Sequence, residues 1–251
     1  MEVTEAPAPA PLEVQGVSTA YGKKRVLNDV SFSLRPAEVF GLVGMNGAGK
    51  TTLIRSMLNL RNCTGRISFF GEPHTDARAR RHLIYLPERF SPSSQLRGFE
   101  HLAITLEYFK QALDRDLARR MARALDLDPR ALDQTVRTYS KGMAQKLGLV
   151  GAFMVDARLM ILDEPMSGLD PRARVCLKDQ LLEARNMGRC IFFSSHILSD
   201  IEEICDRIAV LHESRIIFVG TPTDFVARFA APTLERAFLK ALDESEVAPV
   251  A

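Results

Sequence analysis

The chain opens with short runs in which apolar and polar positions alternate. LEVQGVS (12–18) and VLNDVSFSL (26–34) predict strands, the second with Val26, Asn28, Val30, Phe32 and Leu34 set against the intervening positions. EVFGLVG (38–44) is apolar nearly throughout and ends in glycine, the pattern of a strand buried on both faces. A helical segment, GKTTLIRSMLNL, follows directly, and RISFFG (66–71) and LIYLP (83–87) predict two further strands. From about residue 91 the rhythm changes. Residues 98–155 carry amphipathic helical patterns and no strand signal; in RDLARRMARALDL, Leu117, Met121 and Leu125 recur every four residues. Alternation then resumes through RLMILD (158–163), PRARVCLKDQLLEARNM (171–187), CIFFSS (190–195), ILSDIEEIC (197–205), RIAVLH (207–212) and RIIFVG (215–220). TLERAFLKAL predicts a last helix with Leu234, Phe238 and Leu242 on one face, followed by a loose tail. Strands alternating with helices predict an α/β fold with a mostly parallel sheet covered on both sides, interrupted by one helical insertion. The division expected is an arm at 1–11, a core at 12–90 and 157–221, the insertion at 91–156, and a C-terminal helix and tail at 222–251.

Three junctions in this pattern carry chemistry. GMNGAGKTT (44–52) sits between a predicted strand and a predicted helix and fits the phosphate-loop spacing GxxxxGK[ST]. Gly44, Gly47 and Gly49 let the loop curl so that N–H groups point inward, and the helix presents its positive end to the same place. Lys50 would reach the outer phosphates and the Thr51 hydroxyl a Mg²⁺ ion; Asn46, Ala48 and Thr52 complete the candidate nucleotide-binding stretch. RLMILDEP (158–165) ends a strand in two carboxylates whose side chains point in different directions. Beside a phosphate loop, Asp163 would face the metal and Glu164 would be free to handle an attacking water. His196 follows another apolar strand, FFSS, at the edge where ligands collect in such sheets.

Two residues support two readings each. Tyr21, in STAYGKK, suits stacking on a nucleobase as well as it suits an ordinary edge position; Glu88, in YLPERF, suits contact with Mg²⁺ as well as plain solvation.

YSKGM (139–143) raises a different question. With Ser140 as the N-cap, Gly142 falls at the second helical position, where glycine costs about 0.8–1 kcal/mol relative to alanine. A glycine there lets a large anion approach exposed N–H groups. One such helix start already serves the triphosphate. A second, formed by Ser140, Lys141 and Gly142, makes sense if it completes the site of another molecule, in a two-fold, head-to-tail dimer with nucleotide in the interface.

Composition narrows the class without redirecting it. Hydrophobic and charged shares of 46% and 25% are those of a globular protein, and a net charge of +2 gives no case for nucleic acid. RARR (78–81) and the arginines at 115, 119, 120 and 123 are not interleaved with aromatics and read as solvated faces. The four widely spaced cysteines suit reduced thiols rather than a disulfide scaffold or zinc site. The longest apolar run, 147–155, is too short to cross a bilayer, and MEVTEAPAPAP reads as a disordered arm rather than a signal peptide.

In order, GMNGAGKTT, YSKGM, LMILDEP, SGLD (167–170) and FFSSH resemble the ATP-binding subunit of an ABC transporter, over a span from Tyr21 to His196. The resemblance implies a P-loop NTPase core with an N-terminal antiparallel β subdomain and an inserted helical subdomain. It implies ATP and Mg²⁺ as cofactors, Tyr21 as the adenine-stacking aromatic, and Glu88 as the loop residue sensing γ-phosphate and metal. Ser140 and Gly142 become part of the signature that completes a partner's site, Glu164 the catalytic carboxylate, Asp170 the interface-loop residue and His196 the γ-phosphate switch. The partners implied are a second ATP-binding subunit and a separate transmembrane permease subunit, with the chain peripheral on the cytoplasmic side of the membrane. The chain departs from the family's usual LSGGQ at Lys141 and Met143, and Glu88 stands where glutamine is usual. These departures, and the tail PTLERAFLKAL, resemble single-domain subunits of export-type systems. A soluble relative acting in DNA repair, chromosome organisation or translation is the competing reading. The modest helical insertion and the single ATPase unit argue against it, and the intact Lys50, Asp163, Glu164 and His196 argue against a nucleotide-regulated scaffold.

Overall fold

A computed structural model describes residues 9–247. Strands β1 (Glu13–Tyr21), β2 (Lys24–Ser33) and β3 (Val39–Val43) lead into helix α1 (Lys50–Met57), then β4 (Thr64–Phe69), the short β5 (Glu72–Pro73) and β6 (Leu83–Leu86). The helical stretch follows as α2 (Gly98–Tyr108), α3 (Arg115–Ala124) and α4 (Lys141–Met154). The chain continues through β7 (Leu159–Asp163), α5 (Pro171–Asn186), β8 (Cys190–Ser195), α6 (Leu198–Ile204), β9 (Arg207–His212), β10 (Arg215–Gly220), α7 (Pro222–Arg228) and α8 (Leu234–Val247).

Two sheets form. One is antiparallel, in the order β2-β1-β4-β5; the other runs β10-β9-β3-β8-β7-β6 and is parallel except for its β9–β10 hairpin. The parallel strands are apolar throughout because both faces are covered, and their side chains divide strictly by parity. Val39, Val43, Met160, Leu162, Ile191 and Phe193 join the core under α2–α8. Phe40, Leu42, Leu159, Ile161, Cys190 and Phe192 join the core shared with α1 and the antiparallel sheet. Phe32, Phe40 and Phe192 stack across that second core at 5.4–6.1 Å between ring centres, tying the two sheets together.

The alternation expected from Val26 to Leu34 is interrupted. Leu27 is fully buried where Val26 was expected, and Val30, Phe32 and Leu34 resume the pattern. Asp29 is left-handed (φ 55) within a register shift, so a bulge flips the strand's phase. Helix α3 turns slightly from its expected face: Ala118, Ala122 and Leu125 are buried, with Leu117 and Met121 packed at the edge. Two arginines expected to be solvated do more than that. Arg115 lies 3.8 Å from the centre of the Phe99 ring, and both Arg115 and Arg119 pair with Asp133.

Residues 1–8 of the expected arm and 248–251 of the tail lie outside the described residues. The end of the arm is attached: the Phe70 N–H donates to the Ala10 and Pro11 carbonyls at 3.1 and 3.3 Å. Residues 243–247, read as loose tail, continue α8.

Candidate functional site

The sheet order sets the ends of β3, β8, β7 and β6 side by side, and each strand releases a polar segment at that edge. From β3 comes the glycine loop, from β8 His196, from β7 Glu164, and from β6 Glu88. A cavity of about 370 Å³ opens among them. The loop side is formed by Asn46, Gly47, Gly49, Lys50, Thr51 and Thr52; Glu88, Glu164 and His196 close the other side, with Val26 and Met45 at the margin. Sequence proximity explains the first group, and only the crossovers of the parallel sheet bring the second group to it.

Glycine is required at two points of the loop. A Cβ on Gly44 would stand 2.7 Å from the Leu211 carbonyl oxygen, and Gly49, the residue before α1, has φ 114. Ala48 does not line the cavity; it packs beside Gly44 and on the core below.

Lys50 is buried and engaged. Its ammonium donates to the Gly44 carbonyl at 2.7 Å and lies 3.2 Å from Glu164 Oε1. The other oxygen of Glu164 is 2.8 Å from His196 Nδ1, so one buried carboxylate bridges the lysine and the histidine. Glu164 itself has φ 48, a conformation costly for a non-glycine residue and typical of functional positions. Its N–H is held by the Ser194 hydroxyl at 3.0 Å. The Ser194 hydroxyl in turn donates to Asp163 Oδ1 at 2.5 Å. Asp163 Oδ2 is buried without a hydrogen-bond partner.

An orphaned carboxylate oxygen is costly unless something occupies it. Asp163, Thr51 and Glu88 border a second cavity adjoining the first and offer it oxygen donors only, with Arg55 and Arg89 also on its wall. Among the described residues no group of three His, Cys, Asp or Glu could hold a metal ion by itself. The residues therefore fit a hard cation such as Mg²⁺ that draws its other ligands from phosphate and water. Tyr85 lines the same space; burial first, then the charges of Asp163 and Glu88, push its pKa up to about 12, so it stays a neutral donor.

The remaining predicted residues lie elsewhere. Tyr21 ends β1, half exposed, with the Arg61 guanidinium 3.4 Å from its ring centre on one face, and it does not border the cavity. Ser140 caps α4 as expected, its hydroxyl accepting from the Met143 N–H at 3.1 Å. Gly142 faces its own chain: a Cβ there would lie 3.1 Å from the Gly168 carbonyl oxygen. A Cβ on Gly168 would in turn lie 3.7 Å from Lys141 Cε. Asp170 caps α5 through the Ala173 N–H and lies 3.5 Å from Lys146, which also pairs with Asp126. The cap bond and Lys146 hold the Asp170 carboxyl below its ordinary range. None of Ser140, Lys141, Gly142 and Asp170 reaches the Lys50 cavity of the same molecule.

A curled glycine loop opening a helix, beside a strand that ends in paired carboxylates, defines a nucleoside-triphosphate site of the P-loop class. The chain belongs to the ABC transporter family, whose model matches residues 27–167, more than half of its length. It is similar to an uncharacterized ABC transporter ATP-binding protein of Synechocystis sp., at 38% identity over 79% of this chain and 57% of that one. The chain thus spans well under two thirds of that relative's length. It is also 33% identical to the Nod factor export ATP-binding protein I of Rhizobium leguminosarum bv. viciae, over 91% of this chain and 75% of the relative. A solved structure of the ATP-binding subunit of an ABC transporter superposes with a TM-score of 0.83 at 33% identity, covering 91% of this chain and 98% of that one. The family's ATP-binding subunits are ATPases.

Proposed function

We propose that this chain is the ATP-hydrolysing subunit of an export system, closing as a head-to-tail dimer around two Mg–ATP and driving a separate transmembrane permease. The observation that carries the hydrolytic part is Glu164, a buried carboxylate held between Lys50 and His196 at the mouth of the glycine loop. With ATP present, Lys50 turns to the triphosphate, and Glu164 is freed to orient and deprotonate water while His196 senses the γ-phosphate. Mg²⁺ would be held by Thr51, Asp163 and Glu88 and would neutralise charge on the β- and γ-phosphates. Tyr21 offers its outer face to adenine.

The dimer is supported by the capped α4 start. Ser140, Lys141 and Gly142 form an anion-receiving end that the chain's own cavity does not use. Asp170, at the neighbouring α5 start, belongs to the same interface. The export direction is supported by the likeness to the Nod factor export protein. No helix among the described residues is long and apolar enough to cross a membrane. The partner would dock around residues 89–110, at the junction between the core (12–90, 157–221) and the helical subdomain (91–156). There α2 shows Ile104 and Tyr108 to solvent one helical turn apart. The chain would sit on the cytoplasmic side of the membrane, held by that partner.

The test is light scattering of the Glu164→Gln protein with and without Mg–ATP. A shift from monomer to dimer that Ser140→Arg abolishes supports the reading. A dimer that forms equally well with Ser140→Arg removes α4 from the second site.

A further inference from the structure

Ser194 is a fully buried serine within the strand CIFFSS, where every other position up to it is apolar. Burying a hydroxyl in such a strand is unfavourable unless its bonds are made. Here both are. Parallel pairing of β7 and β8 sets Ser194 directly beside Asp163, and both follow the parity of the face covered by α1, the helix that begins with Lys50 and Thr51. The hydroxyl donates to Asp163 Oδ1 at 2.5 Å and accepts the Glu164 N–H at 3.0 Å. The two residues it fixes are two of the three carboxylates of the site, Glu88 being the third.

The division of the Asp163 oxygens follows from this bond. Oδ1 is occupied by Ser194, and Oδ2 is left buried and unpartnered. Without the serine the carboxylate could rotate, and both oxygens would lose their fixed roles. The second bond acts on Glu164, whose φ of 48 needs outside support to persist. With its N–H unpartnered, the residue is free to relax toward ordinary backbone angles and carry its side chain away from Lys50 and His196.

We infer that Ser194 is a positioning residue that presents Asp163 Oδ2 to the nucleotide's divalent cation and holds Glu164 in its strained, productive conformation. This rests on the ATPase reading above, and adds a residue to which that reading gave no role. Hydrogen-bond partners of metal-binding carboxylates typically matter 10- to 100-fold for metal affinity or activity.

The test compares Ser194→Ala and Ser194→Thr with wild type. Free Mn²⁺ is counted by electron paramagnetic resonance in the presence of ATP, metal-free ATP affinity is measured separately, and kcat and KM are read with Mg²⁺. Ser194→Ala should weaken Mn²⁺ binding in the ATP complex roughly ten-fold and lower kcat roughly 10- to 100-fold. Metal-free ATP affinity should not fall, because the glycine loop is untouched; it should rise to the extent that Glu164 leaves Lys50. Ser194→Thr, which keeps the hydroxyl, should recover most of both losses. Mn²⁺ affinity and kcat both near wild type in Ser194→Ala would overturn the inference. So would a parallel loss of metal-free ATP affinity, or a threonine no better than alanine. If the alanine variant does not fold, Ser194→Cys takes its place in the same comparison with threonine. A wild-type protein that binds no ATP would instead overturn the ATPase reading itself.

Discussion

Glu164→Gln has two consequences that can be separated. Lys50 Nζ lies 3.2 Å from Glu164 Oε1, and the two side chains are only 6% and 9% exposed. Coulomb's law with an effective dielectric of 20 gives about 5 kcal/mol for such a pair. The net loss is smaller, because Lys50 keeps the Gly44 and Met45 carbonyls and the new amide oxygen can still accept from it. An ion pair weakened to an ammonium–amide hydrogen bond loses only the difference between the two, about 0.5–2 kcal/mol. That loss belongs to the empty state alone, since in the proposed complex the triphosphate takes over the ammonium. Removing a carboxylate beside the γ-phosphate acts in the same direction. ATP should therefore bind Glu164→Gln roughly 2- to 30-fold more tightly than wild type from the lost contact alone. Without nucleotide the variant should melt about 1–8 °C lower, and the difference should shrink in saturating ATP. Turnover should fall about 10²- to 10⁴-fold with loss of the base. Fluorescent-nucleotide titration and thermal melts read the first effect, and phosphate release reads the second. Equal or weaker ATP affinity would refute the latch between Lys50 and Glu164. Undiminished turnover would refute the catalytic assignment.

Lys50→Ala should weaken ATP binding at least ten-fold in equilibrium titration, and an unchanged affinity would remove the lysine from the phosphate site. Gly142→Ala should change stability by no more than about 1 kcal/mol, since alanine favours the helix while its Cβ crowds the Gly168 carbonyl at 3.1 Å. Its ATPase rate should nevertheless drop several-fold at undiminished ATP affinity, and wild-type turnover would show that this contact is irrelevant. Burial pushes the thiols of Cys205 and Cys190 up, far for Cys205, so their thiolate fraction at pH 8 is small. A thiol reagent should leave Cys190 and Cys205 unmodified in the native protein while labelling Cys176 and more slowly Cys63; rapid labelling of all four would contradict the packing.

Much of the architecture was legible because the signals are local. Periodicity exposed the parallel strands, GMNGAGKTT announced its own loop, and Ser140 is the cap that YSKGM promised. Other features depend on chain segments far apart. Ser194 looked like any strand residue, since only its register against Asp163 gives it partners. The flip at Asp29 could not be read from an alternating run, because a bulge is set by the strand it pairs with. Arg61 stacks on Tyr21 across forty residues of sequence, with no local mark of the contact. Helix α7 was legible and missed: Thr221, Pro222 and Asp224 spell a capping box with proline in the first turn.

The segment from Glu164 to Asp170 has a consequence for inheritance as well as for mechanism. Its first residue holds Lys50 in one site, while Gly168 and Asp170 lie against the α4 start and Lys146. In the proposed dimer, a substitution that shifts the backbone of this stretch would therefore alter both the site its own chain owns and the site it lends to its neighbour. A dimer with one altered and one normal copy would have no untouched site. Such changes should behave as dominant when both forms are expressed together, whereas a defect in Lys50 alone leaves one loop intact.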